Sequence, residues 1–392
     1  MFLVGKNGDI FVFGGQAMDK TFPEIKTFFG FGCMRLPMNG SEVDIEQFKE
    51  MTDYFLDNGF NYFDTAHGYI DGKSELAIKE ALTKRHARDE YLLTDKLTEP
   101  YFNKEEDIRP FFQSQLDACG VEYFDFYLMH AQNATNFEKF KKCNAYETAF
   151  KLKEEGKIKH VGISFHDKAE VLDKILTTYP QVEIVQIQFN YVDYEDPSVQ
   201  SKKVYDVCRK HNKPVIVMEP VKGGSLIKLP DEAQKVYDEM PSGLSNASYA
   251  IRFAAGFEGI RVVLSGMSDM AQMKDNVSYM KDFKPLDENE MGAVAKVTGI
   301  YKGLDVIPCT ACHYCVEENH CPMSIKIPEL FACLNTKKIF NDWNQNMYYG
   351  LLTTDGGAKA SECIECGGCE NVCPQHLEIR DLLKKVAAEF EK

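Results

Sequence analysis

From about Phe28 to Met280 the chain alternates short apolar runs with amphipathic stretches. The runs Phe28–Gly32, Phe60–Asp64, Tyr91–Lys96, Phe124–His130, Ile158–Ser164, Ile184–Phe189, Pro214–Met218 and Val262–Ser265 predict strands. Between them the apolar positions change to helical spacing. Ile45, Phe48, Thr52, Phe55 and Leu56 share one helical face, and so do Val171, Leu172, Ile175 and Leu176. Near-continuous apolar strands alternating with helices, eight times over about 250 residues, predict an α/β fold of the closed (β/α)₈ TIM barrel type. An open doubly wound sheet has fewer strands and a glycine-rich phosphate turn after the first. Here the first strand runs into Gly30-Phe31-Gly32-Cys33-Met34-Arg35, with no third glycine in register.

The pattern divides the chain into three parts. Residues 1–21 fit no barrel element; Phe2–Val4 and Asp9–Phe13 around Asn7-Gly8 predict a hairpin, with Met18 as the alternative natural start. Residues 22–283 are expected to form the barrel. Residues 284–392 begin with a short linker, Lys284-Pro285-Leu286-Asp287, and a helix over 286–304, followed by a small and mainly helical module. Within it Ile327–Leu352 predicts helical cover.

Composition narrows the function. A net charge of −15 argues against nucleic acid and anionic membranes as partners. No apolar run approaches the roughly 20 residues of a membrane span. The opening Met-Phe-Leu-Val breaks at Gly5-Lys6-Asn7-Gly8, which leaves no signal-peptide core and predicts a cytoplasmic protein. The 13 cysteines are clustered, and in a chain of this size that pattern reads as metal ligation rather than a disulfide framework.

Two arrays stand out: Cys309-x₂-Cys312-x₂-Cys315-x₅-Cys321-Pro322 and Cys363-x₂-Cys366-x₂-Cys369-x₃-Cys373-Pro374. Three cysteines at two-residue gaps wrap a tight loop, and the displaced fourth, before proline, ligates the other cluster in two-cluster ferredoxins. Zinc also takes four cysteines, but its sites use paired Cys-x₂-Cys knuckles and have no need of a third in-line cysteine. The expectation is two [4Fe–4S] clusters, one on Cys309, Cys312, Cys315 and Cys373, the other on Cys363, Cys366, Cys369 and Cys321. Cys33, Cys119, Cys143, Cys208 and Cys333 are expected to be ordinary thiols.

Enzymes on this barrel place their chemistry at the C-terminal ends of the strands. Asp64 ends the second strand, Tyr69 follows in the same loop, Lys96 ends the third and His130 ends the fourth. Each alone has a bland reading as a cap, a solvated charge or a core histidine; together, on consecutive strand ends, they form a candidate site.

With the motifs Gly30-Phe31-Gly32-Cys33-Met34-Arg35-Leu36-Pro37, Phe63-Asp64-Thr65-Ala66-His67-Gly68-Tyr69 with Ser74-Glu75, Lys96, His130, and Val161-Gly162-Ile163-Ser164, residues 22–282 resemble the aldo-keto reductase superfamily. The tail resembles that of the subgroup carrying a ferredoxin-type domain. The resemblance implies hydride transfer between NAD(P)H and a small carbonyl or alcohol substrate. Tyr69 would be the acid, Lys96 the cation that lowers its pKa from near 10, Asp64 the anchor of Lys96, and His130 the group that orients the carbonyl. Cofactor contacts implied by position are Ser164, Gln186, Met218, Gly223, Gly224, Ser265, Gly266, Gln272 and Asn276.

Three departures from the family's pattern matter. Met218-Glu219-Pro220 stands where an aromatic often stacks on the nicotinamide, and Ser164-Phe165 replaces the usual Ser-Asn pair. Gly266–Gln272 holds no cation for a 2′-phosphate, so NADH is weakly favoured; Arg252, Arg261 and Lys274 lie near in sequence. A second function class is an electron-transfer protein in which the barrel is a scaffold and an external carrier serves the clusters. A hydride carries two electrons whereas each cluster takes one, and no flavin signature is visible to bridge them. The intact four-residue set favours the reductase.

Overall fold

In a computed structural model of the chain, residues 2–4 and 10–12 are described as strands, and residues 21–317, 320–340, 342–354 and 356–391 are described with their side chains. Phe2–Val4 pairs antiparallel with Ile10–Val12, with Phe2 opposite Val12. The Asn7-Gly8 turn and Met18 lie outside the described residues.

Eight parallel strands close a barrel in sequence order. They are β1 (Phe29–Gly32), β2 (Tyr62–Asp64), β3 (Leu92–Leu97), β4 (Phe124–Gln132), β5 (Ile158–Phe165), β6 (Ile184–Gln188), β7 (Val215–Met218) and β8 (Ile260–Ser265). The open-sheet alternative is thereby excluded, because β8 pairs back onto β1 with Ser265 opposite Phe31. The interior is packed, not hollow. Tyr62, Leu92, Phe126, Leu128, Ile184 and Ile216 belong to one buried cluster inside it. A Cβ on Gly162 would stand 2.6 Å from Leu128 and 2.7 Å from Ile184, so only glycine lets β5 accept these neighbours.

The helices bury the faces that their spacing predicts. Ile45–Asp57 turns Phe48, Met51, Thr52 and Phe55 inward, and its N-terminus is capped by Asp44, which accepts from Gln47 N at 3.1 Å. Phe55 stacks on Phe60 at 5.0 Å and meets Phe63 edge-on at 5.3 Å. Each such ring contributes about 1.5–3 kcal/mol by leaving water. A short hairpin, Met38–Asn39 with Glu42–Val43, follows β1 without a counterpart in the expected strands, since two-residue strands leave no alternating pattern.

The chain forms two compact units. One holds residues 1–195, 200–220 and 247–291; the other holds residues 196–199, 221–246 and 292–392. The predicted linker helix is Glu288–Lys302. The predicted helical cover resolves into Ile327–Phe340 and Gln345–Thr354. In the second unit Ile325, Leu330, Phe331, Ile379, Leu383 and Val386 form a core with Cys315 and Cys369. Among the described residues no helix is long and apolar enough to cross a membrane.

Candidate functional site

Strand alternation and barrel closure bring two of the expected polar groups, Asp64 and Tyr69, together around a third, the Lys96 cation. Lys96 is fully buried, and its Nζ donates to Asp64 Oδ1 at 2.7 Å, to Thr65 O at 2.7 Å and to Tyr69 Oη at 3.2 Å. The same ammonium lies 4.7 Å from the centroid of the Tyr69 ring. Burial raises the Asp64 carboxyl, while Lys96 and Gln186 act to lower it. A cation bonded to the phenol oxygen favours loss of the phenol proton and stabilises the phenolate that a proton donor leaves behind.

His130 sits where β4 bulges. The β4–β5 register shifts between Met129 and Gln132, and Ala131 has a φ of 49°. Ser164 Oγ accepts from Ala131 N at 2.8 Å and so holds the bulge. The His130 and Tyr69 rings meet edge-on at 6.1 Å. His130 Nδ1 is 2.9 Å from Thr98 Oγ1, which makes Nε2 the nitrogen that would meet a ligand. Burial first, then Lys96 and His166, push the His130 pKa well below 6.5, so the imidazole is neutral at pH 7.

The loop that carries Tyr69 is pinned. Thr65 Oγ1 and Ser74 Oγ lie 2.8 Å apart, Ser74 Oγ donates to Cys33 O at 2.9 Å, and His67 Nδ1 is 2.9 Å from Glu75 Oε2. Ile70, Asp71 and Gly72 all have positive φ and turn the chain into the helix Lys73–Ile78. Two further residues, which sequence reasoning missed, support the site. Gln115 Nε2 donates to Lys96 O at 3.0 Å, and Thr98 holds His130 as described. Thr98 lies two residues beyond Lys96, where period-2 alternation could have flagged it; Gln115 comes from a helix and left no signal.

The expected cofactor contacts are placed variously. Gln186 crosses the barrel mouth and donates to Asp64 Oδ2 at 3.1 Å. Asn276 Nδ2 donates to Ser265 Oγ at 2.9 Å. Gln272 Oε1 accepts from Ser268 N at 3.0 Å, and Gln272 N donates to the capping Asp269 Oδ1 at 2.8 Å. Met218 ends β7, beside Glu219 with its φ of 55°. Gly223 and Gly224 lie in the second unit, where a Cβ on Gly223 would stand 2.1 Å from Thr310 O. Of the sequence-near cations, Arg252 is committed to Glu290 at 2.6 and 2.8 Å, and buried Arg261 donates to the carbonyls of Thr21, Phe22, Ile25 and Thr27. Lys274 is exposed.

The cysteine arrays fold alike despite their different spacing. The residues before and after the middle cysteine have positive φ in both: Ala311 (50°) and His313 (66°) in the first, Glu365 (55°) and Gly367 (78°) in the second. The third residue after each Cys-Pro cysteine repeats this, with Ser324 at 56° and His376 at 50°. Such reversals turn backbone N–H groups inward, and Ala311 N donates to Cys309 Sγ at 3.4 Å. Burial raises the Cys315 thiol, and Cys309, Cys373 and Cys369 raise it further. Burial, Glu370, Cys363 and Cys321 push the Cys369 thiol up to about 11. The neighbours of each thiol thus include the crosswise partner expected from the sequence. Cys321, Cys363, Cys366 and Cys369 line one small pocket, together with Ile325 and Leu383. Among the described residues no group of three or more His, Cys, Asp or Glu side chains is placed to hold a single metal ion. The donor set is all thiol, four cysteines from each array, the soft ligands that iron–sulfur clusters take. Cys33, Cys119, Cys143, Cys208 and Cys333 are buried elsewhere.

Comparison with known proteins agrees with this division. Residues 29–298 match the aldo/keto reductase family, and residues 308–378 match the 4Fe-4S dicluster domain. An aldo-keto reductase of Citrus sinensis acting on (1S)-1,7-diacetoxy-luvungin A is 29% identical over 201 residues, covering 46% of this chain and 57% of that protein. An NADH-specific methylglyoxal reductase of Escherichia coli (strain K12) is 26% identical over 185 residues, covering 43% and 54%. The alignments therefore span little more than half the length of these two relatives. Among solved structures, an aldo-keto reductase from Klebsiella pneumoniae in complex with NADPH superposes with a TM-score of 0.56 at 18% identity, over 69% of this chain and 90% of that one, a likeness of fold.

Proposed function

Because this chain belongs to the aldo/keto reductase family and carries a 4Fe-4S dicluster domain, we propose that it reduces an aldehyde or ketone, or oxidises the corresponding alcohol, by hydride transfer with NAD(P)H. The observation that carries the reading is the contact of Lys96 Nζ with both Asp64 and Tyr69 inside the barrel mouth. The nicotinamide would supply the hydride. The chain's own groups would handle the oxygen: Tyr69 gives it a proton, Lys96 stabilises the phenolate left behind, and neutral His130 orients the carbonyl through Nε2. Asp64, steadied by Gln186, keeps Lys96 in place. In the alcohol-oxidising direction Tyr69 takes the proton.

Cofactor contacts are proposed at Ser164, Gln186, Met218, Gly223, Gly224, Ser265, Gly266, Gln272 and Asn276. NADH is proposed to bind at least as tightly as NADPH. In support, Asp269 caps the helix Met270–Met280 that follows β8 and Gln272 lies in its first turn, and Arg252 and Arg261 are engaged elsewhere. The NADH-specific relative and the NADPH-bound neighbour bracket the choice. Cys309, Cys312, Cys315 and Cys373 would hold one cluster and Cys363, Cys366, Cys369 and Cys321 the other, supplying one-electron chemistry in a domain proposed to span residues 284–392. Anaerobically purified protein, titrated with NADH and NADPH beside a panel of aldehydes and ketones, tests the reading. The expected result is nucleotide oxidation stoichiometric with carbonyl consumed, lost in Tyr69→Phe while nucleotide binding persists. Near-normal turnover in Tyr69→Phe would overturn the assignment; cluster bleaching without carbonyl consumption would favour the electron-transfer alternative.

A further inference from the structure

We propose that Glu75 and Asp95 share one proton behind Lys96, and that the pair so joined positions both Lys96 and the loop carrying Tyr69. The positioning role rests on the reading of the barrel as a reductase; the shared proton does not.

Alternation along β3 turns Lys96 into the barrel and its neighbour Asp95 outward, towards the helices. There the fully buried Asp95 meets Glu75 of the helix Lys73–Ile78, itself buried, and the two carboxyl groups are hydrogen-bonded to each other. Ionised carboxylates carry acceptors only, so a bond between two of them requires a proton on one. The surrounding donors decide which. Glu75 Oε1 accepts from Gln115 Nε2 at 3.2 Å, and Glu75 Oε2 lies 2.9 Å from His67 Nδ1. Tyr127 Oη donates to Gln115 Oε1 at 2.5 Å, which leaves the Gln115 amide nitrogen to face Glu75. Asp95 has fewer donors: Lys96 N at 2.8 Å and, at a long 3.8 Å, Cys119 Sγ. Glu75 is therefore the ionised partner, and Asp95 keeps the proton. Burial first, and then the charge of Glu75, raise the Asp95 carboxyl well above its ordinary range. The titratable groups facing the pair are Lys96 on β3, His67 on the Tyr69 loop, Cys119 ending the helix Glu105–Cys119, and Tyr127 on β4. Lys96 opposes the rise, but its ammonium is bonded to Asp64.

The pair reaches the reacting groups through the backbone. Lys96 N is held by Asp95, and Lys96 O is held by Gln115, which also holds Glu75. His67, in contact with Glu75, stands two residues before Tyr69. One proton thus joins the strand end that carries the cation to the loop that carries the phenol. Without it, two negative charges would face each other in the interior and drive the helix Lys73–Ile78 away from β3.

The test compares wild type, Asp95→Asn and Asp95→Ala as full holoproteins, with circular dichroism as a check on folding and Asp95→Ser as the milder truncation. Infrared difference spectra of wild type against Asp95→Asn at pH 8 should show a protonated carboxyl band that the variant lacks. The denaturant midpoint of Asp95→Asn should gain on wild type from pH 5 to pH 8. The folded state holds the Asp95 proton more tightly than the unfolded chain does, which costs wild type stability as pH rises above the unfolded value. An Asn amide donates to Glu75 as the acid does, so Asp95→Asn should keep the wild-type rate of single-turnover hydride transfer. Asp95→Ala should lose roughly a hundredfold in that rate while its nucleotide dissociation constants stay unchanged. Absence of the infrared band, or a midpoint that keeps step with wild type, overturns the shared proton. Wild-type hydride transfer in the truncated variant, or an Asp95→Asn as impaired as the truncation, overturns the positioning role. A wild-type protein that reduces no carbonyl with either nucleotide sinks the reductase reading and the positioning role with it, while the infrared band still judges the proton.

Discussion

Replacing Lys96 by methionine tests the centre of the site in two independent ways. Lys96 is fully buried and Asp64 is 3% exposed, with 2.7 Å between Nζ and Oδ1. Removing one partner of such a pair strands the other charge, a loss of about 3–5 kcal/mol. Gln186, at 3.1 Å, remains to steady the carboxylate. The double variant Lys96→Met/Asp64→Asn leaves no charge behind, so it is expected to be more stable than Lys96→Met by at least about 2 kcal/mol, despite carrying one more substitution. In the single variant the Asp64 pKa rises further, because burial already raises it and the ammonium no longer opposes this. A carboxyl whose folded pKa exceeds its unfolded value binds its proton more tightly when folded, so the deficit of Lys96→Met shrinks as pH falls through the folded value. Turnover should drop by roughly 10²–10⁴, since no cation supports the Tyr69 phenolate. Denaturant midpoints at pH 5 and pH 8, with single-turnover hydride transfer, measure all of this. A Lys96→Met variant that loses under about 1 kcal/mol, or a double variant no more stable than the single, would refute the reasoning.

Anaerobic reconstitution should give about eight iron and eight sulfide per chain, and Cys369→Ser should lose about half of each; stoichiometric zinc without visible absorbance would rule the clusters out. NADH should bind at least as tightly as NADPH, and a clear NADPH preference that weakens with salt would show that a cation serves the 2′-phosphate after all. The His130 pKa is depressed by burial, so no inflection from His130 should appear in turnover near pH 6.5. Because the unfolded chain takes up that proton more readily, His130→Gln should reduce the loss of stability seen as pH falls below about 6.5; identical acid unfolding of wild type and variant would count against a neutral buried imidazole.

Much of this protein is legible in its local sequence patterns. Strands covered on both faces read as unbroken apolar runs, and the eight barrel strands begin and end within two residues of the runs that predict them. Only in the shortest pieces, such as Met38–Asn39 with Glu42–Val43, is there too little chain to carry a period. The cysteine arrays are equally readable, because a cluster is ligated by local spacing and a loop of three residues per step has few ways to fold. Asp64, Tyr69, Lys96 and His130 can be named from their place at strand ends, since alternation along a strand sets which side chains reach the mouth.

What spacing could not supply is the partnership between distant strands. Gln186 meets Asp64 from 122 positions away, and Ser268 meets Arg35 from 233. Those distances in sequence are set by barrel closure and strand register, quantities fixed by the packing of all eight strands together and carried by no local stretch. The same closure removes Arg252 and Arg261 from consideration: near the loop in sequence, they are tied to Glu290 and to the carbonyls of Thr21 through Thr27. Sequence by itself determined which chemistry the chain carries; tertiary structure decided which groups meet, because a charge acts on what lies within a few ångströms of it, whatever its place along the chain.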